Sequence, residues 1–167
     1  MFKTGDMVMH PGAGICRIDS ITEESFGGTS PRKYYVLKTV YDNSQTVIHL
    51  PVDSDRVKLR RLLTREDIKD IIRSVSVTEP LWVENSVRRK EEFSRIMQSG
   101  DHAEMLQMIC EIHIKKAENE QAGKKLYVSD SKTLQMAERI IHQEFAHTLD
   151  ISPDEVKDFI ISELNIG

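Results

Sequence analysis

The chain has 167 residues, of which 39% are hydrophobic and 30% are charged, and its formal net charge at pH 7 is −4. This composition is typical of a soluble globular protein and predicts one large domain or two small ones. A dedicated nucleic-acid binder is normally basic, so we expect any DNA contact to be weak and local. No signal-peptide pattern begins the chain and no apolar run approaches about 20 residues, which predicts a cytoplasmic protein.

The first 62 residues have the pattern of short antiparallel strands. Apolar or alternating runs cover 7–9, 15–21, 32–40 and 45–50, and a fifth strand is predicted at 57–59. Turn residues separate the runs, among them a Pro-Gly segment at 11–14, a Phe-Gly-Gly segment at 26–28 and Asp-Asn-Ser at 42–44. Short strands at this density favour a small, bent antiparallel β-barrel, which offers edge strands to a partner.

At Thr64 the hydrophobic period changes from two to about 3.6, which indicates helices. Thr64 and Asp67 match a capping box, so we expect a linker helix within 63–79. Residues 80–167 carry four amphipathic stretches, and these predict an all-α bundle. Their predicted starts are near Pro80, at Asp101, at Ser129 or Ser131, and at Ser152. The predicted class is therefore α+β, with a barrel over 1–62, a linker helix over 63–79 and a bundle over 80–167.

Three stretches carry a resemblance to a known family. They are FKTGDMVMHPGAGICRIDSI at 2–21, KYYVLK at 33–38 and VIHLP at 47–51. They resemble the CarD/CdnL family of bacterial transcription regulators and the polymerase-interacting domain of the transcription-repair coupling factor. The resemblance implies that the barrel is of the Tudor or SH3-like type and that the protein is a non-enzymatic regulator whose barrel binds the β subunit of bacterial RNA polymerase. It also implies that the helical domain contacts promoter DNA near the upstream edge of the −10 element and modulates open-complex stability.

The resemblance further implies that the barrel docks by adding its sheet to one on the polymerase. The implied docking residues lie on the fourth predicted strand, with support from the third: Thr46, Val47, Ile48, His49 and Pro51, and Tyr35 and Leu37. Glu24 and His49 stand where the family favours basic residues. Backbone pairing tolerates such side-chain changes, so docking is still expected.

The implied DNA contacts lie in the helical half. They are Trp82, Ser86, Arg88, Arg89, Lys90 and Lys132. The family pattern places a tryptophan, which wedges into the minor groove, at the position of Ser86. The single tryptophan here, Trp82, lies four residues earlier, and on a continuous helix it shares a face with Ser86. A relocated wedge is therefore one expectation.

Other interpretations of these residues remain open. Trp82 can be a core aromatic residue, and Arg88 to Lys90 can be a solvated helix face paired with neighbouring glutamates. The chain can also be a family member that docks on polymerase without a DNA wedge. A third hypothesis is an adaptor whose helical half binds another protein rather than DNA.

Catalytic and metal chemistry find no support in the sequence. No nucleophile elbow, phosphate-binding loop or pair of catalytic carboxylates is present. His142 and His147 flank Glu144, but their i, i+5 spacing places the two histidines on different helix faces. The cysteines, Cys16 and Cys110, show no metal-ligand spacing. We therefore expect no enzyme, no cofactor, no metal, no small-molecule substrate and no membrane partner.

Overall fold

The computed structural model describes residues 1–28, 30–41, 46–75 and 82–166. The chain divides into two compact units, residues 1–62 and 63–167. The described part of the first unit is an antiparallel β-sheet, and that of the second contains five α-helices. The predicted α+β class is therefore confirmed.

The first unit contains a five-stranded sheet in the order β4-β3-β2-β1-β5, with every neighbouring pair antiparallel. Its strands are β1 (Met7–His10), β2 (Gly14–Glu24), β3 (Arg32–Thr39), β4 (Val47–Pro51) and β5 (Arg60–Arg61). Four of the strands lie where the alternating pattern predicts them. The fifth lies at 60–61 rather than at 57–59, and the turn predicted at 42–44 lies outside the described residues.

The sheet is not a closed barrel, which corrects the finer part of the prediction. Closure requires the two outermost strands to pair with each other. Here β4 pairs with β3 and β5 pairs with β1, so both β4 and β5 are edges in the described sheet. The β5 strand has two residues, opposite Val8 and Met9, and offers little backbone for further pairing.

One face of this sheet supplies the core of the first unit. Ile18 of β2 lies opposite Leu37 of β3, and both side chains are fully buried. Tyr35 and Leu50 form the next cross-strand pair of this core. A slip of one residue would turn all of these side chains outward, so burial of this face fixes the register.

The second unit begins with helix α1 (Arg65–Ser74), which Thr64 and Asp67 cap reciprocally as predicted. The other helices are α2 (Ser86–Ser99), α3 (His102–Gln121), α4 (Val128–Leu149) and α5 (Val156–Ile166), and a 3-10 turn (Pro153–Glu155) precedes α5. Asp101 and Ser152 cap the helical segments that follow them, as predicted. Gly100 ends α2 with φ 70°, a left-handed value that glycine adopts at little cost.

Two helix starts differ from the prediction. Helix α2 begins at Ser86, because the Asn85 side chain accepts hydrogen bonds from the N–H groups of Val87 and Arg88. Helix α4 begins at Val128, with Tyr127 as the N-cap residue and no side-chain cap. The serines at 129 and 131 lie inside the first turns of α4.

Helix α1 is packed within the helical unit rather than standing apart from it. Ile68 and Ile72 are fully buried in the same apolar cluster as Ile112, Ile141 and Phe145 of the long helices. The division of the chain into functional segments 1–62, 63–79 and 80–167 stays a prediction.

A buried polar group holds the entry of the chain into this unit. Glu144 of α4 is fully buried and accepts a hydrogen bond from the Leu63 N–H at 3.3 Å. Thr148 donates to the Leu63 carbonyl at 2.9 Å. The carboxylate of Glu144 also lies 3.0 Å from Nε2 of His102, whose Nδ1 lies 3.0 Å from the Gly100 carbonyl.

The turn between β1 and β2 depends on a neutral imidazole. Nδ1 of His10 accepts from the N–H groups of Gly12 at 3.0 Å and Ala13 at 3.1 Å. A protonated Nδ1 has no lone pair and cannot accept either bond. Burial also lowers the pKa of His10 from its ordinary value of 6.5.

We predict that acidification weakens the first unit through His10. Below pH 6.5 the unfolded chain takes up a proton on His10 before the folded chain does, so stability falls from there down to the folded pKa. In His10→Asn, the side-chain oxygen can accept the same two bonds without titrating. The melting temperature, measured from about pH 8 to about pH 5, should fall less for His10→Asn than for the wild type. Parallel curves for the two proteins would contradict this account.

Candidate docking edge and candidate nucleic-acid interface

Strand β4 is an edge strand whose only pairing in the described sheet is with β3. Two bonds next to it fix the direction of its backbone groups. The Thr39 N–H donates to the Thr46 carbonyl at 3.2 Å, and the Val52 N–H donates to the Lys33 carbonyl at 3.0 Å. Thr46 and Val52 therefore face β3.

Alternate residues of an antiparallel strand direct their backbone groups to opposite sides. Ile48 and Leu50 therefore bond to β3, whereas Val47 and His49 direct their N–H and C=O groups toward the open edge. Pro51 lies opposite Tyr34 at the next outward position, where its missing N–H interrupts no bond to β3. The edge can thus accept another strand.

The side chains of the predicted docking residues separate into two groups. Tyr35 and Leu37 are buried, and they support β4 from the core without reaching the surface. Ile48 packs partly against the same core. Thr46, Val47 and His49 are exposed, with 47% of the Val47 surface accessible. The exposed side chains of Thr46, Val47 and His49 and the backbone of β4 are therefore available to a partner.

An aromatic residue that the sequence analysis treats only as part of a turn lies beside this edge. The ring of Phe26 is 48% exposed, and its centroid lies 5.1 Å from that of Tyr34 and 6.0 Å from that of His49. Nδ1 of His49 lies 3.6 Å from a Glu24 carboxylate oxygen. An aromatic residue followed by two glycines is the signal that could have indicated an exposed ring here.

In the helical unit, Arg89 is the centre of a buried polar cluster. Its side chain is 1% exposed and forms a bidentate ion pair with Asp130 of α4, with N···O distances from 2.8 to 3.1 Å. The other guanidinium nitrogen donates to the carbonyls of Val83 at 2.9 Å and Glu84 at 3.3 Å. The ion pair thereby connects α2, the segment before it and the first turn of α4.

This arrangement corrects the expectation that Arg89 holds a DNA phosphate. Its donors are directed at protein acceptors, and its burial denies a phosphate access. Arg88, Lys90 and Lys132 are exposed, as is Ser86 at the first position of α2. These four remain available as predicted DNA contacts.

Trp82 precedes helix α2 and does not share a helix face with Ser86, because the Asn85 cap begins the helix after it. Its ring is half-buried and packs on the helical core, with the Phe93 centroid 6.1 Å away. The Arg89 guanidinium lies over the ring at 4.6 Å from the centroid, and Nζ of Lys115 lies at 5.8 Å. The core interpretation of Trp82 therefore has direct structural support.

The sequence analysis missed Tyr127. Its side chain is 64% exposed, and its ring centroid lies 5.2 Å from the Arg89 guanidinium carbon. Lys124 and Lys125 come shortly before it and are exposed. An aromatic residue close to two lysines is a signal of nucleic-acid contact that could have indicated this position.

The described residues contain no group of three or more histidines, cysteines or acids placed to hold a metal ion. The nearest arrangement is His113 with Glu138 at 2.6 Å, close to His142, whose pKa burial lowers. Nor does any described helix combine the length and apolar character needed to cross a membrane.

The structure so far defines an α+β protein whose sheet has an open edge, to which a partner strand can be added. Residues 2–63 match the sequence model of the CarD-like/TRCF RID domain, so the first unit is similar to that domain. This confirms the resemblance to CarD-like proteins. The RID domain is a protein-interaction domain, and members of its family bind the RNA polymerase β subunit. No curated protein matches the chain.

The Arg89–Asp130 pair gives a stability prediction. Asp130→Ala leaves a buried guanidinium without its counter-charge, which should lower the free energy of unfolding by about 3–5 kcal/mol. The measurement is urea denaturation followed through Trp82, which packs against Arg89.

The matched control is Glu92→Ala, which removes an exposed partner of Arg95 at 2.7 Å. Solvent screens that pair, so its loss should matter far less. Equal losses in the two variants would show that burial does not determine the contribution of the Arg89 pair.

Proposed function

We propose that this protein is a non-enzymatic transcription regulator. It binds the β subunit of bacterial RNA polymerase through its N-terminal unit. Its helical unit contacts promoter DNA near the upstream edge of the −10 element and modulates open-complex stability. It works in the cytoplasm, at the nucleoid. The observation that carries the proposal is the open β4 edge within a CarD-like/TRCF RID domain.

Docking proceeds by strand addition along β4. The N–H and C=O groups of Val47 and His49 pair with a strand of the polymerase, and the Pro51 carbonyl accepts at the end of the ladder. Thr46 and Ile48 direct their backbone groups toward β3 and so keep this edge attached to the sheet. The exposed rings and methyl groups of Phe26 and Val47 add apolar contact beside the new strand. Backbone pairing also explains how docking tolerates Glu24 and His49 at positions where the family favours basic residues.

The DNA contact is local and weak. The chain has a net charge of −4, so its overall field repels DNA. Arg88, Lys90 and Lys132 are exposed cations that hold phosphates once the docked domain has brought the helical unit to the promoter. The polymerase supplies most of the binding free energy, and the local DNA contacts act on the melted region of the promoter.

A backbone variant tests docking. Val47→Pro removes the outward N–H and should reduce capture of the isolated polymerase β lobe at least about ten-fold, since the first outward ladder bond and its geometry are lost. The bonds from β4 to β3 remain, so the melting temperature should change little. A pull-down with the full chain measures capture.

The matched control for docking is Val47→Thr, which keeps the outward N–H and the β-branched shape. It should bind like the wild type. Full binding by a folded Val47→Pro protein would remove strand addition along β4 from the proposal.

The salt dependence of promoter binding tests the DNA contact. Arg88→Ala and Lys132→Ala, in the presence of saturating polymerase, should each reduce the slope of log affinity against log salt by about one. Lys157→Ala on α5 changes an exposed lysine outside the predicted interface and serves as the control. Unchanged slopes for both variants would exclude Arg88 and Lys132 as phosphate contacts.

An adaptor is the second candidate function. It is favoured by the exposed apolar side chains of Tyr127 and Val128 in a unit with more acidic than basic residues. In that case the helical unit binds a protein, and its contribution to the promoter complex does not vary with salt as phosphate contacts require.

A further inference from the structure

The aromatic side chain most open to solvent in the Arg89 cluster is Tyr127. Trp82 and Tyr127 both pack against the same guanidinium, at 4.6 and 5.2 Å from their ring centroids. Trp82 is half-buried against the helical core, whereas Tyr127 is 64% exposed. An incoming planar group can therefore reach the Tyr127 ring over a much larger area.

The backbone on both sides of Tyr127 is held in place. Before it, the Lys124 N–H donates to the Asn119 carbonyl at 2.7 Å, and the Asn119 side chain donates to the Lys125 carbonyl at 3.4 Å. After it, Asp130 is fixed by its ion pair with Arg89 at 2.8 Å. The ring is thus presented on an ordered backbone, which lowers the entropic cost of binding.

The charges around the ring favour a polyanion. Lys124, Lys125 and Lys132 are exposed and lie within five residues of Tyr127, and Lys115 reaches the Trp82 ring. The opposing acids are partly neutralised, because Asp130 is paired with Arg89, and Glu118 lies 3.8 Å from Lys115. Glu84 is the exposed acid on the segment before α2.

We infer that Tyr127 stacks against a base of promoter DNA, and that Arg89 and Asp130 are positioning residues that hold this ring beside Trp82. The inference rests on the proposed DNA contact of the helical unit and names the side chain that makes it. Every base has a π-face, so stacking on tyrosine needs no particular sequence. The flanking lysines hold the phosphates on either side, and the Arg89 guanidinium, 4.6 Å from the Trp82 centroid and 5.2 Å from the Tyr127 centroid, contacts both rings.

The test measures the lifetime of the open complex formed by bacterial RNA polymerase on a promoter fragment while the full-length protein is titrated. The concentration of Tyr127→Ala that gives half of the effect should rise about 5- to 150-fold, the range measured for loss of base stacking. Tyr127→Phe keeps the ring and should behave like the wild type. Met136→Ala removes a 59% exposed side chain from the same helix and should also change nothing.

A double variant tests the positioning role of Arg89 and Asp130. Arg89→Met with Asp130→Leu replaces the buried ion pair with apolar side chains of similar size, an exchange that proteins tolerate. The double variant should remain folded and docked but should lose the effect of Tyr127 on lifetime. It should also change the emission of Trp82, the single tryptophan, because the guanidinium beside it is gone.

The outcomes separate this inference from the proposed function. If Tyr127→Ala matches Met136→Ala while the wild type still changes the lifetime, Tyr127 is not the stacking residue, and the DNA contact lies elsewhere. If Tyr127→Ala fails in the pull-down with the β lobe, the ring binds protein and the inference is overturned. If the wild type docks but never alters the lifetime, the proposed DNA contact fails and the inference fails with it.

Discussion

The buried ion pair between Arg89 and Asp130 determines how the helical unit presents its polar surface. Removing a guanidinium and a carboxylate from water is costly, and the pair is tolerated because each of the three guanidinium nitrogens has an acceptor. Breaking the pair leaves a charge in an apolar interior. The pair therefore ties the segment before α2 to the first turn of α4 in one arrangement, and both aromatic rings take their places from it.

In the first unit, by contrast, the outward backbone groups of β4 pair with no other strand of the described sheet. An exposed strand edge promotes aggregation, and proteins usually cover it or end it with proline or charge. Here β4 is short and ends at Pro51. The aromatic side chain of Phe26 beside it is exposed rather than folded under the sheet. These features suit an edge that is kept for a partner.

The sequence predicts most of the local structure, because its signals are local. Alternation predicts β1 to β4, and the Thr64–Asp67 capping box marks the start of α1. Barrel closure could not be predicted, since it depends on whether edge strands far apart in the chain pair. Arg89 looks like a surface cation because its partner lies 41 residues away, and no local pattern announces Asp130. Trp82 lies outside the helix predicted to include it, because the Asn85 side chain caps α2 three residues later.

The proline at the end of β4 limits how far a joining strand can pair with this edge. Outward donors exist at Val47 and His49, and beyond them the ladder offers only an acceptor at Pro51. A joining strand that reaches Pro51 finds no donor there, so the donors available to it along β4 are limited to Val47 and His49. The residue that ends the strand thereby also limits the length over which a partner strand can pair with this edge.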